Sequence, residues 1–293
     1  MEPRMPKQPF ARALLYSAGA ALLILLVIFA FRQFGARPDA QRAESNRFNP
    51  ALYSPPPTPR LDAPNVASDS QVVDAMLSLA QLKPDDYVID LGSGDGRILI
   101  AAARSNGAHG LGVDIDPAQI QQANRNARYA GVTGLVSFRQ QDLFQTPLQQ
   151  ADILTLYLTA EVNLRLRPRI LQQMRPGTRV VSNEFDMGEW HYDERRRVGT
   201  TNVFLWIVPA QVDGQWTLTD GNRSVPLAID QAFQRFTGTA GGEARIEQGR
   251  IGGNAIRFIA NLGNGRRVYE GTVQGNRMTG TGTGATWSAV RAP

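Results

Sequence analysis

The segment Tyr87-Val-Ile-Asp90-Leu runs directly into Gly92-Ser-Gly94-Asp95-Gly96, and a helical pattern starts at Arg97 and continues to about Ser105. A strand that passes through a glycine loop straight into a helix commits a chain to βαβ architecture with a parallel sheet. The surrounding pattern agrees. Candidate strands at 87–91, 110–114, 136–140, 153–157 and 179–183 alternate with candidate helices at 97–105, 117–130 and 161–174,. Pro117 stands where a first helical turn accepts proline, and Gly107, Gly131 and Gly177 stand where the chain must reverse,. An earlier helix is expected from Val72, Val73, Met76, Leu77 and Leu79, with Ser68 or Asp69 as its cap and Lys83-Pro84 as its end,. Residues 202–209 and 215–219, joined by Val212-Asp213-Gly214, predict an antiparallel hairpin that closes one side of the sheet,.

The expected fold is therefore α/β, a doubly wound, mostly parallel sheet, followed by a small C-terminal antiparallel β domain. Beyond about Asp220 the sequence breaks into short β-like runs at 244–246, 255–260, 267–273, 277–281 and 287–290, separated by turn residues such as Gln274-Gly275-Asn276,. This region carries no chemical constellation and reads as a small sheet or partial barrel. Four segments result: 1–36, 37–67, 68–220 and 221–293.

The first two segments concern a membrane. Residues 14–31 carry no charge between Arg12 and Arg32, and at about 1.5 Å per helical residue they just span a hydrocarbon core of roughly 30 Å. A cleaved secretory signal is the competing reading, and the length of the apolar run favours a retained anchor. Residues 37–67, with Ser54-Pro-Pro-Pro-Thr-Pro59 at their middle, read as an extended tether,. Arg4, Lys7 and Arg12 on one side face Arg32, Arg37, Arg42 and Arg47 on the other, so flanking charge does not set the orientation,.

The glycine loop selects among ligands. Its spacing is G-x-G-x-G rather than G-x-G-x-x-G, and Asp90 and Asp95 flank and interrupt it. Those carboxylates repel a pyrophosphate and attract the ammonium and sulfonium of S-adenosylmethionine, which disfavours a nicotinamide dinucleotide. Gly92, Gly94 and Gly96 bring backbone close to such a ligand. Asp114 ends the second strand, where it suits both ribose hydroxyls. Asp142 follows the third strand, placed for the adenine amino group, with Leu143 to pack on the ring.

Asp90 to Arg97, Gly112-Val-Asp-Ile-Asp-Pro117 and Gln141-Asp142-Leu143 resemble class I methyltransferases. More narrowly, Ser70-Gln-Val-Val73, the Asp-Leu-Gly-Ser-Gly-Asp-Gly-Arg loop, Tyr157-Leu158 and Arg179-Val-Val-Ser182 resemble membrane-anchored mitochondrial protein-lysine methyltransferases and their bacterial relatives. The resemblance covers about residues 68–209, and the C-terminal β region departs from it. It implies one hydrophobic anchor ahead of a catalytic domain. It also implies a methyl acceptor that is a protein lysine, with a lipid or other small molecule as the alternative acceptor and a non-catalytic assembly module as the alternative role.

Candidate groups for orienting an amine or escorting its proton are Tyr157 after the fourth strand and Glu184 and Asp186 after the fifth. Trp190 and His191 follow in the next loop, as lining or as surface cover. With no cysteine and two histidines, the chain lacks the usual metal-binding and thiol constellations,. A net charge of +5 without a long basic run leaves a nucleic-acid partner possible and not favoured,. Because S-adenosylmethionine is made in the cytosol or imported into the matrix, the catalytic domain is expected on that side of a bacterial or mitochondrial inner membrane.

Overall fold

The computed structural model describes residues 70–293, with 264, 283 and 284 excepted. The apolar run at 14–31, the proline-rich stretch at 37–67 and the cap at Ser68 or Asp69 lie outside the described residues. Among the described residues no helix is long and apolar enough to cross a membrane.

The chain opens with helix α1 (Ser70–Leu79), whose Val72, Val73, Met76 and Leu77 are buried at helical spacing,. Then β1 (Tyr87–Leu91), α2 (Arg97–Asn106), β2 (His109–Asp114), α3 (Pro117–Tyr129), β3 (Val136–Gln140), β4 (Ile153–Leu156), α4 (Ala160–Gln173) and β5 (Arg179–Asn183) alternate as expected. With β6 (Glu194–Val198) and β7 (Thr201–Ile207) the strands form one seven-stranded sheet in the order β3-β2-β1-β4-β5-β7-β6. The first five are mutually parallel, and β7 runs antiparallel to both neighbours. Parallel strands must be covered on both faces. Here α1, α2 and α3 pack one face against Val88, Phe138, Ile153, Val181 and Val203. The other face, with Ile89, Leu91, Leu154, Leu156 and Trp206, packs against Leu166 and Ile170 of α4.

Between β1 and β4 the strand order reverses, because β1 has β2 on one side and β4 on the other. Such a reversal opens a crevice at the C-terminal ends of the strands, where α/β sheets bind ligands.

The hairpin expected at 202–219 does not form. Strand β7 inserts between β5 and β6, and β8 (Gly214–Asp220) starts a second sheet. The change of sheet therefore falls between Ile207 and Gly214, ahead of the expected boundary after residue 220. The remaining strands are β9 (Arg223–Ala232), β10 (Arg235–Ala240), β11 (Ala244–Arg245), β12 (Glu247–Gly252), β13 (Ala255–Asn261), β14 (Arg266–Gln274), β15 (Arg277–Gly282) and β16 (Ala285–Arg291). Their order is β11-β10-β12-β13-β14-β15-β16-β8-β9, and β9 also pairs with β10. That last pairing closes a ring of strands, an up-and-down barrel with β11 as a short appendage,. Closure is a stronger outcome than the expected small sheet or partial barrel, and among the described residues it pairs each strand of the ring on both sides,.

The barrel interior is packed. Phe258 stacks on Tyr269 at 4.8 Å, and Trp287 meets both rings edge-on at 5.7 and 5.9 Å. Glycine makes room for them: a Cβ at Gly271 would lie 2.8 Å from the Trp287 ring and 2.4 Å from the Thr279 carbonyl oxygen.

Barrel and α/β layer meet at an aromatic seam. Trp190 is fully buried, takes a 2.6 Å hydrogen bond on its carbonyl from Trp206 Nε1, and stacks with Phe233 of the β9–β10 turn at 6.3 Å. The carbonyl of exposed His191 accepts a hydrogen bond from Gln234 Nε2. Trp190 is thus packing between the two layers rather than the lining of an open slot.

Candidate active site

Asp90 sits one residue from the end of β1 and is 1% exposed. Its Oδ1 accepts a 2.7 Å hydrogen bond from Thr155 Oγ1 on β4, while its buried Oδ2 has no partner. Burial pushes its pKa up to about 7, against the Thr155 hydrogen bond, and the Asp114 and Asp95 carboxylates push the same way as burial. A buried acid with one free oxygen is suited to an arriving ammonium, which supplies both the missing donor and the missing charge.

The loop that follows is tied to β2. Gly92 and Ser93 amides both donate to the Val113 carbonyl at 2.9 Å, and the Gly94 amide donates to Asp114 Oδ2 at 3.0 Å. Gly94, at φ 51°, has nothing nearer its missing Cβ than Gln119 Oε1 at 3.9 Å, so this side of the loop faces open space. Gly96, at φ 80°, has no such room, because a Cβ there would strike Phe138 at 2.5 Å.

Asp114 braces the loop with one oxygen and the Asp116 amide with the other, at 2.9 Å. Each carboxylate oxygen keeps further acceptor capacity, enough for a pair of hydroxyls. Asp142 lies close by in the fold, since the Gln141 amide donates to the Asp114 carbonyl at 3.0 Å. Its Oδ1 caps the short turn Leu143–Gln145 through the Phe144 amide at 2.8 Å. Leu143 is half-buried beside it. Asp95 departs from the electrostatic argument made for it: it is ion-paired with Arg97 at 2.7 Å, which holds its pKa below the usual carboxylate range. The attraction for a cation at the loop therefore rests on Asp90 and Asp114.

Tyr157 directly follows β4, half-buried and within electrostatic reach of Arg97. Glu184 directly follows β5 and is exposed, with a left-handed backbone at φ 67° and its amide donating to the Asn202 carbonyl at 2.7 Å. A non-glycine residue in that region marks a constrained turn. Asp186 is exposed and accepts the Gly188 amide at 3.0 Å. All three lie at the sheet edge that carries Asp90.

Three residues at this edge escaped the sequence reading. Ile115, just past β2, is 65% exposed, and an apolar residue between Asp114 and Asp116 was the available signal. Asn126 of α3 donates to the Asp95 carbonyl at 2.9 Å and pins the glycine loop. Asn163 of α4 is fully buried and donates to Ser182 Oγ at 3.0 Å and to the Phe185 carbonyl at 3.2 Å. Among the described residues, Asp90 Oδ2, Ser93 Oγ, Asn163 Oδ1 and Asn183 Oδ1 are buried and unpartnered at or beside this edge. Such orphans are scarce in folded proteins, and each calls for a partner such as a water, an ion or a ligand. An open cleft of about 880 Å³ lies at the opposite ends of the strands, between Arg175–Arg179 and the barrel turns at Asn254 and Gly275. It contains none of these groups.

The family model that matches residues 90–194 is described as the ANTKMT methyltransferase domain. A protein-lysine N-methyltransferase of Saccharolobus islandicus is 37% identical over 150 residues, which is 50% of this chain and 93% of that protein. The adenine nucleotide translocase lysine N-methyltransferase of Mus musculus is 30% identical over 149 residues, 51% of this chain and 65% of that protein. Among solved structures, an RNA methyltransferase from Salinibacter ruber in complex with S-adenosyl-L-homocysteine shares 47% identity and a TM-score of 0.49, over 50% of this chain and 96% of that one. The methyltransferase domain match and the 37% identical lysine methyltransferase make the chain an enzyme that uses S-adenosylmethionine. It belongs to the S-adenosylmethionine-dependent protein-lysine methyltransferase family.

Proposed function

We propose that this chain methylates the side-chain amine of a lysine in a membrane-associated protein, at the crevice bounded by Asp90, Asp114, Tyr157 and Glu184. The observation that carries the site is the pair formed by the buried, half-satisfied Asp90 carboxylate and the Gly94 amide braced by Asp114. In this reading Asp90 holds the cofactor's cationic end, while Gly92, Gly94 and Gly96 shape the loop, with Asp95 locked to Arg97 as its brace. Asp114 takes the ribose hydroxyls, Asp142 takes the adenine amine, and Leu143 covers the ring together with Ile115. When bound, the cofactor supplies a methyl group on a sulfonium, and the protein must deliver an unprotonated amine in line with it. Freeing a lysine of its proton at pH 7 costs about 4–5 kcal/mol from a reference pKa near 10.4. Tyr157 orients the amine, and Glu184 and Asp186 pass its proton towards water.

The membrane part of the proposal rests on the uncharged run at 14–31, which serves as a single anchor, and on the tether at 37–67,. The catalytic domain then lies on the cytosolic or matrix side of a bacterial or mitochondrial inner membrane. The test is to incubate the full-length chain with membranes and S-adenosylmethionine labelled in its methyl group, then separate protein, lipid and RNA. Label in protein is expected. Label confined to the lipid or RNA fraction would overturn the acceptor.

A further inference from the structure

Strand β6 ends the seven-stranded sheet, and Glu194, Arg195, Arg196 and Arg197 on it are all exposed. The register ties this strand to the methyl-transfer edge. Arg195 pairs with Phe204, which pairs with Ser182; Arg197 pairs with Asn202, whose carbonyl takes the Glu184 amide. Arg197 is thus two strands from Glu184, about 10 Å at the usual strand spacing.

The same side presents partly exposed apolar groups. Tyr192 is 39% exposed and leans on Phe204 at 5.3 Å, with the Arg195 guanidinium 5.8 Å from its ring. Phe185 and Leu164 are 39% and 38% exposed beside the Glu184 turn. Arg196 turns to the opposite face, towards Ser78 at 3.0 Å and Glu194 at 3.8 Å. Arg197 Nε donates to the Gly199 carbonyl at 3.1 Å. Among the described residues neither Arg195 nor Arg197 has a carboxylate at ion-pair distance. Of the exposed acids nearby, Glu184, Asp186 and Glu189 lie on the turn itself, and Glu194 lies on β6 beside Arg196.

Arginine and aromatic side chains carry most of the energy of protein interfaces, and unpaired arginines steer acidic segments to them. We propose that β6 and the Tyr192–Phe185–Leu164 rim are the docking surface for the acceptor protein. They select a lysine that has an acidic side chain about three residues away, the number of extended residues that covers about 10 Å. This inference rests on the lysine-methyltransferase reading and adds a sequence preference to it.

The test uses the full-length chain saturated with S-adenosylhomocysteine and two fluorescein-labelled peptides. Each has one central lysine, flanked at three residues on either side by glutamates in one peptide and by arginines in the other. Fluorescence anisotropy should show the acidic peptide binding about tenfold tighter, a difference of about 1.4 kcal/mol. In the Arg195→Glu, Arg197→Glu double variant the order should reverse, with S-adenosylhomocysteine affinity by calorimetry unchanged as the check on folding. Equal binding of the two peptides, or a preference that survives the double variant, would overturn the docking surface. So would a variant that loses binding to single-stranded RNA or to phosphatidylglycerol vesicles while its peptide preference stays the same. The two proposals fail separately: lysine methylation without charge preference sinks only the docking surface, and charge preference without methyl-lysine sinks only the acceptor.

Discussion

Asp90 combines burial, an unpartnered oxygen and a raised pKa in one side chain of the proposed site. Its carboxyl is raised to about 7 by burial, so below about pH 7 the folded form without cofactor holds it as the neutral acid. The consequence for stability has a definite sign: the contribution is full below about pH 4 and is lost as pH climbs through about 7. Asp193, raised to about 6 by burial, acts in the same direction over a narrower window. Melting curves of cofactor-free protein from pH 5 to 8 should fall with pH, and Asp90→Asn should flatten that fall above pH 6. Affinity for the cationic cofactor should move oppositely, rising through pH 7 in the wild type and staying weak in the variant. A pH-independent affinity would remove Asp90 from the cofactor's cationic end. Asp114→Ala should weaken cofactor binding by roughly 1.5–3 kcal/mol, since it removes a charge-assisted acceptor and releases the Gly94 amide,. Calorimetry on the folded variant reads this directly. The positions of these acids were legible because each sits at the end of an apolar strand run. Their partners were not: that Arg97 neutralises Asp95 depends on a side-chain geometry that spacing alone does not fix.

At the scale of elements, close packing replaces chemistry as the constraint. Gly112 on β2 lies under the Phe138 ring, and a Cβ there would come within 2.5 Å of the ring and 2.8 Å of Ser93 Cβ. Gly112→Ala should therefore destabilise the domain by roughly 1–3 kcal/mol through overpacking. Pairing it with Phe138→Leu should recover part of the loss in a denaturant titration; no recovery would place the strain elsewhere. The strands and helices from Tyr87 to Asn183 follow the apolar periodicity closely, because parallel strands buried on both faces leave continuous hydrophobic runs,. Strand β6, by contrast, reads Glu-Arg-Arg-Arg-Val, with four exposed residues and no alternation for a sequence pattern to detect. The barrel strands β10 and β12 mix polar residues with glycine and single apolar residues, so only pairing with other strands defines them,. The mistaken hairpin has the same origin: Val212-Asp213-Gly214 is good turn chemistry, but Trp216 and Leu218 bury inside the barrel rather than against β7,.

For the whole molecule, the barrel is joined to the catalytic layer through Trp190, Phe233 and Gln234, just after the turn that bears Glu184 and Asp186. The anchor proposed at residues 14–31 makes a topological prediction. Protease added to intact spheroplasts or mitoplasts should leave residues 70–293 undigested until the membrane is opened, because the cofactor is supplied on the inner side. Digestion without opening would place the domain on the other face. The fate of one methyl group decides the proposed function. The full-length chain is incubated with labelled S-adenosylmethionine and membranes, the protein fraction is hydrolysed completely to amino acids, and the labelled residue is identified beside an Asp114→Ala control. Methyl-lysine, formed by the wild type and lost or strongly reduced in the control, is the predicted result; label on another amino acid, or no label from protein that binds the cofactor, would contradict it.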